Sequence, residues 1–357
     1  MIKSLGLRRW GRGVGDWRAD PTFAMCRALV DGADLASFAG GEFDVRAVVA
    51  GLLSQARSGW FLDAVPWGNF PHGEDARQAV HLLGAGDSPT RCTTDVLWGL
   101  CANDSRAAAA LAVPFLVPIA TDGHHAHRAA APAVLSAPAR ARHFGIASRH
   151  EFLLHRTDPR LHAFDDYDDY GVEVTGYPAG WSVAAARAAI TAATPVLLPL
   201  LNDPDRTIRI DASYALATAA DPDHTVRTAL ATRFATEHDV LVRAALLLGV
   251  AETTRTHPHP PTVSWLRKRW QDPTEAGEVR LTAAIGWLCL TDEPAPQDLH
   301  QTIDTLATDE RAHALDDALP WMEAAAGSRE LGLQRCIRCM LHPEEPEPSE
   351  DPFAFSM

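Results

Sequence analysis

The sequence predicts an all-α fold, a right-handed α-solenoid of stacked antiparallel helix pairs. Three observations support this prediction. Alanine, the best helix former, is very abundant. Two segments 81 residues apart share one pattern, and arginines recur in similar contexts with gaps of 37, 81, 34 and 37 residues, the long gap being about two repeats of a 34- to 40-residue period. Two helices per unit with such a period are typical of α-solenoids, in which each unit buries its apolar face against its neighbours.

The repeated pattern is clearest in "VPFLVPIATDGHHAHRAAAPAVLS" (113–136) and "TPVLLPLLNDPDRTIRIDASYALA" (194–217). Without gaps, the identical residues that align include Pro114 with Pro195, Leu116 with Leu197, Pro118 with Pro199, Asp122 with Asp203, Arg128 with Arg209 and Ala131 with Ala212. Each copy is interpreted as two helices joined by a tight turn. We expect Pro195 and Pro199 to bend the first helix, because each removes a backbone donor. Asp203 before Pro204 predicts the start of the second helix.

The arginines of this pattern stand at 91, 128, 209, 243 and 280, with a weaker copy near Arg311. The row has two interpretations. In one, the arginines form a functional row. In the other, each arginine pairs with an acid of the next turn and holds the repeats in register. The second is favoured, and the arginines are therefore not counted as binding residues.

The phrases "DPDRTIRIDASYAL" and "DVLVRAALLLG" resemble the HEAT-repeat family, and the resemblance extends over about residues 72–325. It implies antiparallel helix pairs stacked into a curved superhelix. Many members of the family bind proteins, a few bind nucleic acid, and some bacterial members look like partners of toxins. A related group resembles chromophore lyases, so the resemblance implies a fold more firmly than a function.

Three regions are predicted along the chain. Residues 1–70 form an irregular and helical N-terminal cap, and residues 71–342 form the solenoid, with an insertion at about 141–181. Residues 343–357 contain "PEEPEPSEDP" and form a flexible acidic, proline-rich tail, because such a composition cannot build a core.

The formal net charge is −14 and the isoelectric point is about 5.5. A negative surface repels phosphate backbones, so nucleic acid is disfavoured and a basic protein partner is expected. No signal peptide is recognised, and no apolar run reaches the ~18 residues of a membrane span, so a cytoplasmic protein without a membrane segment is expected. The composition leaves the oligomeric state open.

The candidate binding residues lie in the insertion, where aspartates surround tyrosines: Asp165, Asp166, Tyr167, Asp168, Asp169, Tyr170 and Tyr177. Insertions in solenoids emerge as loops, often on the binding face. A protein-binding loop with tyrosine anchors competes with a merely solvated loop. A calcium loop and a catalytic acid pair fit less well, because position twelve of the loop would be Tyr177 and no activated partner accompanies the acids.

No cofactor and no metal are predicted. "CIRCMLH" places Cys336, Cys339 and His342 three apart, which fits zinc ligands but also one face of a helix. His124, His125 and His127 stand in the turn of the first copy and are interpreted as surface residues. The six cysteines do not form a disulfide framework in a chain of this length.

The predicted function is therefore a non-catalytic scaffold that binds a basic protein on its concave face and acidic insertion, in an immunity-type, regulatory or assembly role. The alternative is an enzyme on the same scaffold, resembling a DNA glycosylase or a lyase, for which no catalytic residue is assigned. Such a site needs an acid beside an aromatic ring, and the pairs Asp95 with Trp98 and Asp211 with Tyr214 satisfy this. In each pair, the i, i+3 spacing puts both side chains on one helix face.

Overall fold

A computed structural model gives the fold of the chain. The structure describes residues 21–54, 62–85, 97, 105–140, 149, 152–153, 173, 175–323 and 332–342. Within these residues the protein is all-helical and contains no β-strand. The all-α prediction is confirmed for this part of the chain. The acidic tail 343–357 and most of the insertion lie outside the described residues.

The described part of the chain contains fifteen α-helices. Three come from the N-terminal region: α1 (Ala24–Val30), α2 (Val45–Ser54) and α3 (Gly73–Ala85). The next ten form five successive pairs: α4 (Arg106–Thr121) and α5 (Ala131–Ser136), α6 (Ala179–Leu197) and α7 (Arg206–Leu216), α8 (Thr225–Thr236) and α9 (Val240–Thr256), α10 (Pro260–Gln271) and α11 (Gly277–Leu290), α12 (Gln297–Leu306) and α13 (Asp309–Ala318). The last two are α14 (Pro320–Glu323) and α15 (Gly332–Leu341).

The two copies of the repeated pattern form corresponding helix pairs, as the sequence predicts. The first copy gives α4 and α5, and the second gives α6 and α7. The second helices of the pairs pack in chain order: α5 against α7, α7 against α9, α9 against α11 and α11 against α13. First helices also meet, since α4 packs against α6 and α10 against α12. Consecutive helix pairs are therefore neighbours in space.

The start of α7 differs from the prediction. The residue that caps the helix is Asp205, whose side chain accepts the amide of Thr207 at 2.8 Å. Asp203 instead accepts the amide of Asp205 at 2.9 Å in a turn and binds the guanidinium of Arg128. Because its carboxylate is engaged there, the helix begins two residues later than the sequence indicates.

The prolines act differently in the two copies. Pro114 and Pro118 lie inside α4, which continues through both of them. Pro195 lies inside α6, but the chain tightens into a 3₁₀-helix at Leu198–Asn202, which contains Pro199. A bend at Pro195 and Pro199 was expected, and the structure shows a change of helix type there.

One helical segment of the described residues, Ala179–Asn202, is long and apolar enough to cross a membrane by length and composition. Core helices meet the same criterion. α6 packs against α2, α4 and α7, and its Ile190 and Leu197 are buried in the hydrophobic core. Packing inside the protein therefore buries part of this apolar segment.

Candidate functional site

The recurring arginines connect consecutive helix pairs. Each of three arginines, on or just before the second helix of its pair, binds an acid in the turn before the next second helix: Arg128 with Asp203, Arg209 with Glu237 at 2.9 Å, and Arg243 with Glu275 at 2.8 Å. We call these three pairs the arginine ladder. The prediction that the arginines hold neighbouring units in register is confirmed for them.

Two acids of the arginine ladder each bind two arginines. Glu237 also binds Arg233 at 2.6 Å, and Glu275 also binds Arg269 at 3.0 Å. Burial acts to raise the pKa of Glu237, but hydrogen bonds from the amides of Asp239 and His238 and from Arg233 outweigh it and hold that pKa below its ordinary value. The carboxylate therefore stays charged, and the ion pair between Arg209 and Glu237 persists at neutral pH.

The remaining arginines of the row depart from this pattern. Arg280 donates to the carbonyl oxygen of Trp270 at 3.1 Å. Arg311 binds Glu278 at 3.3 Å, so it reaches back to the preceding pair instead of forward to the next. Arg91 lies outside the described residues.

The second helices at the centre of the chain are covered on all sides. Every residue from Ala244 to Thr254 in α9 and from Leu281 to Cys289 in α11 is buried. A helix that is buried around its whole circumference belongs to the interior of a protein. These stretches of the second helices therefore offer no open surface to a partner.

C-terminal elements supply part of this cover. α14 packs against α7, and α15 packs against α11 and α13. Arg149, from the insertion, is buried and donates to the carbonyl oxygens of Met340 at 2.5 Å and Glu293 at 2.7 Å. The last helices thus fold back onto the second helices and are fixed there by a buried guanidinium.

A buried ion pair lies beneath α14. Glu252 of α9 is fully buried, and both of its carboxylate oxygens accept hydrogen bonds from Arg140. The indole N–H of Trp321 donates to the same carboxylate at 2.7 Å. A buried charge is tolerated only when it is paired and hydrogen-bonded, and Glu252 meets both conditions.

Aromatic rings complete the cluster around this pair. The Arg140 guanidinium lies 3.5 Å from the centre of the Tyr214 ring and donates to the Tyr214 carbonyl oxygen at 2.5 Å. The rings of Tyr214 and Trp321 meet edge to face, with centroids 4.7 Å apart. We call Arg140, Tyr214, Glu252 and Trp321 the central cluster. It joins α7, α9, α14 and the residue that follows the 3₁₀-turn Ala137–Ala139.

A second arginine stands beside the central cluster. Arg187 of α6 donates to the carbonyl oxygen of Ala139 at 2.9 Å. Burial and the positive charge of Arg140 lower the pKa of Arg187 to about 10, and Glu252 partly offsets them. Among the described residues, the site therefore brings two guanidinium groups to one carboxyl group inside an acidic protein.

The nearest candidate for acid–base chemistry is Asp211. It lies on the same face of α7 as Tyr214 and is only 8% exposed. Burial raises the pKa of Asp211 to about 7, and the negative charge of Asp205 adds to this effect. A carboxyl group that titrates near neutral pH can donate or accept a proton under physiological conditions.

The aromatic partner of Asp211 is already occupied. One face of the Tyr214 ring carries the Arg140 guanidinium, and Trp321 packs edge to face with the same ring. The acid and the ring are thus on one face, as their spacing predicts, but the described residues around Tyr214 restrict stacking by a substrate. The other predicted pair, Asp95 with Trp98, lies outside the described residues.

Tyr177 is a core residue, which corrects its assignment to the binding loop. It is 1% exposed, its hydroxyl donates to the carbonyl oxygen of Phe43 at 2.8 Å, and it accepts the amide of Val45 at 3.0 Å. Burial raises the pKa of the Tyr177 hydroxyl well above its ordinary value. This side chain satisfies the first amide of α2 instead of facing a partner. The other candidate residues, Asp165, Asp166, Tyr167, Asp168, Asp169 and Tyr170, lie outside the described residues.

The histidines and cysteines named from the sequence are placed only in part. His124 is exposed and His125 half-buried, but His127 is 3% exposed, so the surface assignment of His127 is wrong. Cys336 is buried on α15, the ring of His342 lies 5.3 Å from that of His300, and the Cys339 side chain lies outside the described part. Among the described residues, no group of three side chains is arranged to hold a metal ion.

Sequence reasoning missed Arg140, Glu252 and Trp321. A signal for Glu252 exists, since it is the single acid within the apolar run "RAALLLGVAETT". Such an acid requires a buried partner, but the partners are 112 and 69 residues away along the chain. No periodicity could have identified them.

No protein-family model matches the chain, and no curated protein is similar enough to count as a relative.

Proposed function

We propose that the helix pairs form a right-handed, HEAT-like α-solenoid that acts as a non-catalytic scaffold for a basic protein partner. The observation that carries this proposal is the arginine ladder. It repeats one ion pair between consecutive units, and such a repeated contact between neighbours is what a solenoid requires. The chain-order packing of α5, α7, α9, α11 and α13 supports the same arrangement.

The surface proposed for the partner is the hairpin α12–α13, because the second helices before it are covered. Its exposed carboxylates are Asp298, Asp304, Asp309, Glu310, Asp316 and Asp317. Partial burial and the charge of Asp317 raise the pKa of Asp316, as expected where like charges crowd together. Its one arginine, Arg311, already binds Glu278. The hairpin therefore offers a net negative surface that attracts and orients a basic partner.

The test compares the wild-type chain with a variant in which Asp304, Asp316 and Asp317 are changed to asparagine. Both are used to capture partners from cells of the source organism, and the partner that mass spectrometry identifies is then purified. We expect a basic protein whose affinity, measured by calorimetry, falls at least tenfold in the variant and at least tenfold between 50 and 300 mM salt, an estimate for an interface steered by charge.

The matched control changes three other exposed acids, Asp63, Glu74 and Asp75, to their amides, so that the net charge changes equally. This variant should bind like the wild type. The proposal would be contradicted if the purified partner bound both variants with equal affinity, or if its affinity did not change with salt concentration.

An enzyme is the second candidate function, and the observation that favours it is Asp211, whose pKa of about 7 suits a general acid or base. The direct test is release of bases from alkylated duplex DNA by the purified chain. A glycosylase would lose this activity in Asp211→Asn and keep it in Asp223→Asn, an exposed control. Activity that is equal in both variants would remove Asp211 from consideration.

A further inference from the structure

Two neighbouring helices are basic, although the chain as a whole is acidic. α8 and α10 carry Arg227, Arg233, Arg267, Lys268 and Arg269 and contain no aspartate or glutamate. We call these five residues the basic strip. The whole chain has 46 acids against 32 arginines and lysines, so two neighbouring helices that together carry five cations and no acid run against its overall charge.

The two helices of the basic strip lie side by side. Near their beginnings the rings of His224 and His259 are 5.1 Å apart, and farther along Phe234 and Trp265 meet edge to face at 5.2 Å. Contacts at both positions mean that α8 and α10 run in the same direction. Their cations therefore belong to one surface about 18 Å long, given the rise of an α-helix.

Two cations of the strip are open to solvent. Arg267 and Lys268 are exposed, and neither has an acidic partner among the residues that the structure describes. Arg233 and Arg269 bind Glu237 and Glu275 of the arginine ladder, but each of those acids already faces a second arginine. The surface thus keeps a net positive charge.

We propose that the acidic stretch 343–351 of the same chain docks on the basic strip. This stretch, "PEEPEPSED", carries five carboxylates, Glu344, Glu345, Glu347, Glu350 and Asp351, and no cation. The stretch is thus opposite in charge to the strip, whose Arg267 and Lys268 are exposed. The docked segment would neutralise the strip, leaving the acidic hairpin α12–α13 as the exposed charge of this region. The proposal is independent of the identity of any partner.

The start of the stretch lies close enough to reach the strip. The ring of His342, the last described residue, is 5.3 Å from His300 of α12. On the same helix, Asp298 accepts a hydrogen bond from Gln271 at the end of α10 at 2.9 Å. Two helix spacings of 8–10 Å separate α15 from α10, about 20 Å in all, whereas nine extended residues span about 30 Å.

The charge of the whole molecule favours this occupant over a nucleic acid. A long polyanion would experience the field of a protein with a net charge of −14 and would be repelled outside the strip. A short segment tethered nearby interacts with the strip alone. Its tether also raises its effective concentration to the millimolar range, so that weak ion pairs suffice.

The chain contains only two lysines, Lys3 and Lys268, which makes a direct test available. A zero-length carbodiimide reagent joins a lysine amine to a carboxylate only when the two touch. Applied to the full chain in 20 mM salt, followed by trypsin and mass spectrometry, it should link Lys268 to one of the five tail carboxylates. An equal mixture of ¹⁴N- and ¹⁵N-labelled chains should give links within one copy.

A charge variant that keeps Lys268 tests the specificity of the link. The double change Arg227→Glu and Arg267→Glu should lower the yield of the Lys268–tail link at least fivefold, as should 300 mM salt. The control Arg77→Glu with Arg206→Glu changes the net charge equally, lies outside the strip and should leave the yield unchanged. Circular dichroism should show that all variants remain folded.

Three results would overturn the proposal. They are the absence of a Lys268–tail link in the wild type, an unchanged yield in the strip variant, and links mainly between isotopically different copies. A fluorescent 20-base-pair DNA duplex tests the competing assignment, in which the basic strip binds nucleic acid. If the duplex binds at 50 mM salt and only the strip variant loses it, while no tail link forms, the strip is a nucleic-acid surface.

Discussion

Glu252 shows how a single residue can organise distant parts of the chain. Its carboxylate is fully buried in an otherwise apolar stretch of α9, and Arg140 and Trp321 donate hydrogen bonds to it. Burying an ion pair gains little over an apolar pair of the same size, but breaking one leaves an uncompensated charge in the interior. The pair therefore specifies where these segments dock more than it adds to stability.

Removing the guanidinium should expose this dependence. Arg140→Met removes the guanidinium that is hydrogen-bonded to the buried Glu252 and should lower the free energy of unfolding by about 3–5 kcal/mol in urea titrations at pH 7. The double variant Arg140→Met with Glu252→Gln removes the charge as well and should recover about half of that loss. A double variant as unstable as Arg140→Met alone would show that lost packing, not the buried charge, causes the effect.

Asp211 should make stability depend on pH. Its pKa is about 7 in the folded protein against an ordinary value of 3.8, so between these values the folded state holds a proton that the unfolded chain has released. The contribution of Asp211 to stability is therefore complete below pH 4 and is lost as the pH rises to 7.

The variant Asp211→Asn, which never ionises, should be more stable than the wild type at pH 8 by about 2–4 kcal/mol, because each pKa unit corresponds to about 1.4 kcal/mol. The advantage should shrink steadily as urea titrations are repeated down to pH 4. Asp223→Asn, at an exposed turn, is the control and should show no such trend. An advantage of Asp211→Asn that is equal at pH 4.5 and pH 8 would contradict the assignment.

At the scale of the element, the arginine ladder ties each turn to the neighbouring helix pair. The sequence predicted the pairing but misplaced the cap of α7, because Asp203 and Asp205 are both plausible caps and only the fold brings Arg128 to Asp203. Such local competition between capping residues sets the boundaries of a helix. The apolar periodicity of the sequence already indicates that the helix exists.

Loss of a ladder acid should cost more than loss of a surface acid. Glu237→Gln weakens bonds to Arg209 and Arg233 together and should lower the free energy of unfolding by about 2 kcal/mol, the value of a charged hydrogen bond in a partly buried site. Glu74→Gln breaks an exposed i, i+3 pair with Arg77 and should cause no measurable change. Equal effects in thermal unfolding would mean that the ladder adds no stability.

At the scale of the whole molecule, the C-terminal helices that cover the second helices decide which surfaces remain open to a partner. Trp321 is 2% exposed, and it joins α14 to Tyr214 of α7 and Glu252 of α9. The C-terminal helices are thus part of the same hydrophobic core as the helix pairs. A partner must therefore use other surfaces, which is why the acidic hairpin α12–α13 was proposed.

Truncating Trp321 should loosen this cover. Trp321→Ala should cost about 3–5 kcal/mol, as large cavities do, and should speed amide hydrogen exchange in α7 and α9. Trp265→Ala removes a tryptophan that is only partly buried, so its effect should be smaller and confined to α8 and α10. If Trp321→Ala and Trp265→Ala accelerated amide hydrogen exchange in the same helices, the packing of Trp321 against α7 and α9 would not explain the effect of its removal.

The sequence by itself determined the helical class, the pairing of helices into repeats and the structural role of three of the recurring arginines. These follow from patterns that are local or strictly periodic, so the residues that make them are near one another in the chain. Only the tertiary structure decided that Tyr177 and His127 are buried, that Glu252 meets Arg140 and Trp321, and that two acid-free helices adjoin. Each of those facts depends on contacts between segments far apart in sequence, whose closeness is set by how the whole chain packs and by no period within it.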